Sequence, residues 1–119
     1  MNDFIIDNVI RSQVVEDYFY FFESKDIDSI AELFSEDCYL VDWEVGKVVG
    51  KKNVINVYSN IFNLIEKIET DISHIHEDPA GILTCEVSLA MGKEKILVAD
   101  IFEFDEEDKI KALRAYKGS

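Results

Sequence analysis

The chain has 119 residues, enough for one hydrophobic core and short for two, so a single domain spanning residues 1–119 is expected. Its 25 acidic residues against 12 Lys and Arg leave a formal net charge of -13, which repels phosphate backbones and anionic lipid surfaces and argues against nucleic acid or membrane as a partner. No apolar run is long enough to span a bilayer, and Met1-Asn2-Asp3-Phe4-Ile5-Ile6-Asp7 lacks a basic leader, so a cytoplasmic protein is expected.

The first element reads as a long helix, with Val9, Val14, Val15, Tyr18, Phe19 and Phe22 recurring at three- and four-residue steps. Ser24-Lys25-Asp26 breaks it, and Asp26 or Asp28 can cap a short second helix carrying Ile30, Leu33 and Phe34. Ser35-Glu36-Asp37 reads as a turn. Cys38 to Val45 then alternates as a strand, with Tyr39, Val41 and Trp43 on one face and Cys38, Leu40, Asp42 and Glu44 on the other. Gly46 and Gly50 bracket a tight connection, after which Asn53 can cap a third helix with Val54, Val57, Tyr58, Ile61, Phe62 and Ile65 as its apolar stripe. Strand patterns follow at about 67–76, 82–91 and 95–104, separated by Asp78-Pro79-Ala80-Gly81 and Gly92-Lys93. The acidic turn Asp105-Glu106-Glu107-Asp108 leads into a last strand at 110–116. Helices first and then short-linked strands imply an α+β fold with a mostly antiparallel sheet. Cys38 and Cys85 lie in separate apolar patterns without metal-type spacing, as expected of buried free thiols.

One residue departs from this scheme. Asp100 shares its strand face with Ile96, Val98, Phe102 and Phe104, a face otherwise wholly apolar. Burial disfavours an ionised carboxylate, so the group either keeps its proton and becomes a hydrogen-bond donor suited to an oxyanion, or it is bonded to backbone amides or to an arginine.

The order and spacing of several segments resemble the nuclear transport factor 2-like superfamily, in particular its SnoaL-like and ketosteroid isomerase branch. The matching segments are Val14-Val15-Glu16-Asp17-Tyr18, Lys25 to Asp37, Val41-Asp42, Val49-Gly50-Lys51-Lys52, and Asp100-Ile101-Phe102-Glu103-Phe104 followed by Lys109-Ile110. The resemblance implies a cone-shaped, curved, mostly antiparallel sheet packed on the N-terminal helices (the cystatin-like, or nuclear transport factor 2-like, fold), with an apolar pocket between them. It further implies a small hydrophobic ligand, no cofactor, no metal, and a homodimer formed through the outer sheet face. The apolar residues Leu83, Cys85, Val87 and Leu89 offer one strand face to such a partner.

Carried over residue by residue, Tyr18 matches the first-helix tyrosine that donates to the substrate oxygen. Asp42 matches the general base, and Asp100 the protonated acid that supplies a second donor. The implied reaction is proton transfer alpha to a carbonyl. Trp43 follows Asp42 where that branch commonly carries proline, so Glu44, on the same strand face, is the alternative base. The fold also hosts polyketide cyclases, dehydratases, epoxide hydrolases and non-catalytic binding or dimerisation modules, and each of these remains open. His74 and His76 share a strand face but have no further ligand at metal spacing, and are expected to be exposed or hydrogen-bonded. Arg114 on the last strand is the cation that would ionise Asp100 if the two were paired.

Overall fold

Residues 8–119 are described by the computed structural model, so the reading of Met1–Asp7 lies outside the described residues. Helix α1 (Val9–Ser24) starts where the Asn8 side chain accepts from the Arg11 amide at 3.0 Å, and it ends at Lys25, which takes the left-handed conformation at φ 57. Its buried stripe is Val15, Tyr18, Phe19 and Phe22, as the spacing predicts. Helix α2 (Ile27–Leu33) is capped by Asp26, whose carboxylate accepts from the Ser29 amide, and it buries Ile30.

Strand β1 (Phe34–Asp42) and strand β2 (Gly46–Val49) correct two expectations. Ser35-Glu36-Asp37 is not a turn but the irregular first part of β1, where the pairing register shifts between Phe34 and Tyr39. Glu36 and Asp37 are exposed there, which gives the segment its turn-like polarity. The stretch after Gly46 is not a simple connection either. It folds back on β1 as a hairpin pairing Tyr39 with Val49 and Asp42 with Gly46, and Gly46 supplies the positive φ of 74 that the turn requires.

Helix α3 (Lys51–Leu64) begins two residues before Asn53, which therefore does not cap it. Gly50, at φ 92, makes the bend, and Asn53 instead donates from its side chain to the Val49 carbonyl at 3.0 Å. Strands β3 (Ile68–Glu77), β4 (Leu83–Met91), β5 (Glu94–Phe104) and β6 (Ile110–Lys117) complete the chain close to their expected bounds.

The expected α+β arrangement forms. Six strands lie in the order β2-β1-β6-β5-β4-β3, with β1 and β6 parallel and every other pair antiparallel. The sheet is curved and unclosed, and the three helices of the described residues pack on it. Alternation along β4 and β5 sends Leu83, Cys85, Val87, Leu89, Ile96, Val98, Phe102 and Phe104 into the core. Leu83, Cys85, Val87 and Leu89 are thus buried within the molecule and cannot present a face to a partner, contrary to expectation. Their uniform apolarity reflects contact with the aromatic cluster of α1 and α3.

Arg11 fastens α1 to the sheet. Its guanidinium donates to Asp108 at 2.7 Å and to the carbonyls of Gly81 and Asp105 at 3.2 Å, and lies 5.2 Å from the centre of the Phe104 ring. One side chain therefore joins the helix to the β3–β4 and β5–β6 turns. Glycine is favoured at position 81 by its backbone φ of +82, and an added Cβ, 2.6 Å from an Arg11 nitrogen, would push the guanidinium out of its place. Charge-assisted hydrogen bonds of this kind contribute about 1.5–3 kcal/mol each, so Arg11→Ala is expected to lower the unfolding free energy by about 2 kcal/mol or more. Urea denaturation followed by circular dichroism measures this, and an unchanged midpoint would remove the clamp from the account.

Candidate active site

Helices α1 and α3 lie over the concave face of the sheet and leave a cavity of about 370 Å³, within the size range of small-molecule sites. The cavity is mainly apolar. Tyr18, Tyr58 and Asp100 supply polar groups among its buried walls, while Asp42, Trp43 and Glu44 reach it from the more exposed end of the β1–β2 hairpin.

Asp100 is positioned by strand periodicity alone. It lies on β5 between Val98 and Phe102 on the inward face and is 7% exposed. Its carboxyl has no hydrogen-bond partner among the described residues. Arg114 does not approach it. That side chain lies against Glu103 and the Tyr39 hydroxyl, the latter at 3.2 Å, so no Asp–Arg–Asp arrangement forms. The cross-strand neighbour is Cys85, a thiol pushed up to about 12 by burial and by Asp100, and therefore no source of positive charge. Loss of hydration, reinforced by the negative charge of Asp42, raises the Asp100 carboxyl to about 7. Near neutral pH much of it carries a proton, and it can donate.

Tyr18 comes from the buried stripe of α1 and Tyr58 from that of α3, and their hydroxyls meet at 2.6 Å. Burial holds both phenols well above their ordinary value, with further increments from the negative charges of Asp100 and Asp42, so both stay neutral. One proton is shared between the two oxygens. The other is free for a third partner, so when Tyr58 donates, the Tyr18 proton is available to a ligand. The rings of Tyr18 and Phe22 lie parallel at 5.9 Å, and Phe102 meets Tyr18 edge-on at 5.3 Å, which holds the pair in place. Tyr58 was legible in the sequence only as one member of an apolar stripe. The missed signal is that a tyrosine at the centre of a buried stripe needs a polar partner.

Asp42 ends β1 at the hairpin. Its Oδ1 accepts from the Glu44 amide at 2.7 Å and the Val45 amide at 3.4 Å, so the carboxylate caps the turn. Its Oδ2 has no partner among the described residues. Glu44 also lines the cavity, in a more exposed position. The structure therefore brings Tyr18, Asp42 and Asp100 to one cavity, with Glu44 beside them. His74 and His76 are not part of it. Their rings stack at 5.8 Å on the exposed side of β3, where His76 Nε2 lies 2.9 Å from Glu86. Among the described residues no group of three or more His, Cys, Asp or Glu is arranged to hold a metal ion.

The SnoaL-like domain profile matches residues 15–113. The chain belongs to the SnoaL-like family. No curated protein sequence matches it. Solved structures of low identity share its fold: the epoxide hydrolase/cyclase-like enzyme SalBIII, described in pyran ring formation in polyether salinomycin, is 22% identical with a TM-score of 0.82 over 94% of this chain and 93% of that one. A SnoaL-like protein of unknown function from Burkholderia thailandensis is 12% identical with a TM-score of 0.85, covering 96% and 98% of the two chains. A candidate ketosteroid isomerase from Kribbella flavida is 12% identical with a TM-score of 0.75, covering 92% and 78%. The SnoaL-like family includes isomerases and cyclases, so membership makes an enzyme plausible without selecting a reaction.

A carboxyl raised from 3.8 to about 7 binds a proton in the folded chain that the unfolded chain releases. This contribution to stability is complete below the unfolded value and is lost as pH rises through the folded one. Relative to Asp100→Asn, the wild-type urea midpoint is expected to fall as pH rises from about 4 to about 7. Parallel pH profiles for the two proteins would contradict a protonated Asp100.

Proposed function

We propose that this SnoaL-like protein is an acid/base enzyme that moves a proton next to a carbonyl in a small hydrophobic substrate, in the manner of ketosteroid isomerases and without a cofactor. The observation that carries the reading is a buried, unpartnered Asp100, its carboxyl raised to about 7, in the same cavity as the partly exposed Asp42. The substrate carbonyl oxygen would accept hydrogen bonds from Asp100 and from Tyr18, with Tyr58 donating to Tyr18. Asp42 would take the proton from the adjacent carbon, so that the C–H electron pair becomes the enolate and its charge grows on the oxygen held by the two donors. The same carboxyl then returns the proton to a more distant carbon of the conjugated system. No atom is gained or lost, as an isomerisation requires.

The division of labour follows from environment. An oxyanion is best stabilised by donors already aimed at it in a site from which water is excluded, and Asp100 and Tyr18 are fixed by packing. A base must stay ionised and reachable, and Asp42 stands at the cavity's more open end. General base catalysis contributes about 10²–10⁴ in rate. Asp42→Asn should therefore lower the turnover of β,γ-unsaturated ketones, followed by the ultraviolet rise of the conjugated enone, by about 10²–10⁴. Activity should also fall as pH rises through about 7, because the donor proton of Asp100 is lost there, and Asp100→Asn should abolish that falling limb. Absence of turnover on every ketone tried would remove this function.

One observation favours a second reading, a non-catalytic ligand-binding module. Asp42 Oδ1 is already engaged by two turn amides, as in a residue kept for the turn alone. Turnover unaffected by Asp42→Asn would move the base to Glu44; ligand binding without turnover would select the module. A homodimer belongs to the same proposal. Leu97 and Tyr116 stand 56% and 50% exposed on strands β5 and β6, on residues that alternate with the inward face. Sedimentation as a dimer that Leu97→Glu turns into a monomer is the expected result, and a wild-type monomer would exclude it.

A further inference from the structure

The mouth of the cavity is built differently from its interior. Trp43 and Val45 on the β1–β2 turn, and Leu64 at the end of α3, all line the cavity, yet they are 36%, 49% and 81% exposed. Large apolar side chains left in water carry a hydration cost that contact with an apolar ligand would relieve, and these three come from two separate elements at one opening. The charged groups lining the same cavity include Glu44 and Glu94, with Lys117 as the cation. An anionic tail leaving the cavity would meet a net negative rim on a chain of net charge -13.

We infer that Trp43, with Val45 and Leu64, is the specificity-determining contact of this cavity, and that it grips the outer part of an uncharged, elongated, apolar substrate whose carbonyl lies at Tyr18 and Asp100. The inference rests on the proposed function only for the identity of the buried head group. The placement of Trp43 gives the grip a second effect. Trp43 directly follows Asp42, and the turn that carries it is held by Asp42 Oδ1 through the Glu44 and Val45 amides. A tail seated on Trp43 therefore fixes the turn whose hydrogen bonds orient the base. Binding energy gained away from the reacting carbons is spent on aligning the group that attacks them. Compact ketones fill the interior without this contact, and ketones ending in a carboxylate meet the acidic rim.

Trp43 is the chain's single tryptophan, so tryptophan emission comes from this position alone. The probes are saturated 4-n-alkylcyclohexanones of increasing chain length, which bind without isomerising, together with an ω-carboxylate analogue of the longest. Affinity is read by calorimetry and Trp43 by fluorescence. The expected result is a gain of about fourfold in affinity per methylene once the tail passes the mouth, corresponding to burial of one CH₂. It is accompanied by a blue shift of Trp43 emission that the shortest ketone does not produce. The carboxylate analogue should bind at least about tenfold more weakly than its neutral counterpart, in line with charge repulsion at the rim. Trp43→Ala should flatten the increments for long tails. Leu64→Ser, at a position outside the core, should reduce them while leaving the fold untouched.

An emission spectrum unchanged at saturation with the longest ketone would overturn the inference, as would undiminished increments in Trp43→Ala. Binding of short and long ketones alike, with Trp43 silent throughout, would leave the proton-transfer reading in place and remove only the grip. Failure of every ketone to bind would remove both.

Discussion

Placing a carboxyl on an inward strand face commits the rest of the molecule to an answer. Asp100 is largely withdrawn from water without gaining a cation or a hydrogen-bond donor from the described protein, and this raises its carboxyl to about 7. The surroundings keep it so. Cys85 across the strand pair is neutral, Arg114 is drawn away by Glu103 and Tyr39, and the phenols of Tyr18 and Tyr58 are too well buried to ionise. The carboxyl is a departure from what stability alone would select, and such departures concentrate where a fold does chemistry.

The two aspartates are a matched pair because the sheet holds them in unlike surroundings. Asp42 lies at a strand end, where backbone amides and solvent reach it, and Asp100 lies in mid-strand. The charge on the first contributes to keeping the proton on the second. The negative charge of Asp42 favours a neutral Asp100, and the proposed reaction uses this difference by making one carboxyl the acceptor and the other the donor. The aromatic cluster supplies rigidity. Tyr18 is wedged among Phe19, Phe22 and Phe102, so its hydroxyl direction is set by ring contacts on several sides.

Period-two and period-three-to-four patterns are readable wherever one face of an element is buried, which is why α1, β4, β5 and β6 could be placed from the chain alone and why Asp100 stood out. Features that depend on contacts distant in sequence were not readable. Strand β2 is four residues long, begins with glycine and has a mostly exposed pattern, so its pairing with β1 leaves no periodic trace. Gly50 displaced Asn53 as the start of α3 because a positive φ, invisible in composition, made the bend. The inward face of Leu83, Cys85, Val87 and Leu89 was legible as apolar but not as inward, since a sheet pattern does not say which side the helices cover. Tyr58 needed the crossing of two helices to become Tyr18's partner, and Arg114 needed the outer face of the sheet to find Glu103. Local pattern gave the elements and one anomalous carboxyl; convergence in space gave the site.

The parallel pairing of β1 with β6 bears on how the molecule comes into being. Strand β6 lies between β1 and β5, so the strand farthest along the chain occupies the middle of the sheet. Until it is inserted, β1 with β2 forms one fragment and β3 through β5 another, each with an open edge. Asp42 is on the first and Asp100 on the second. Contacts between strands about 70 residues apart are late and slow to form, because the loop entropy is lost before the pairing energy is gained. A chain emerging from the ribosome would therefore have both carboxyls long before it had them in one cavity. Closing the sheet and bringing Asp42 and Asp100 to one cavity are one event, so a partly unfolded chain exposes strand edges before it has the cavity.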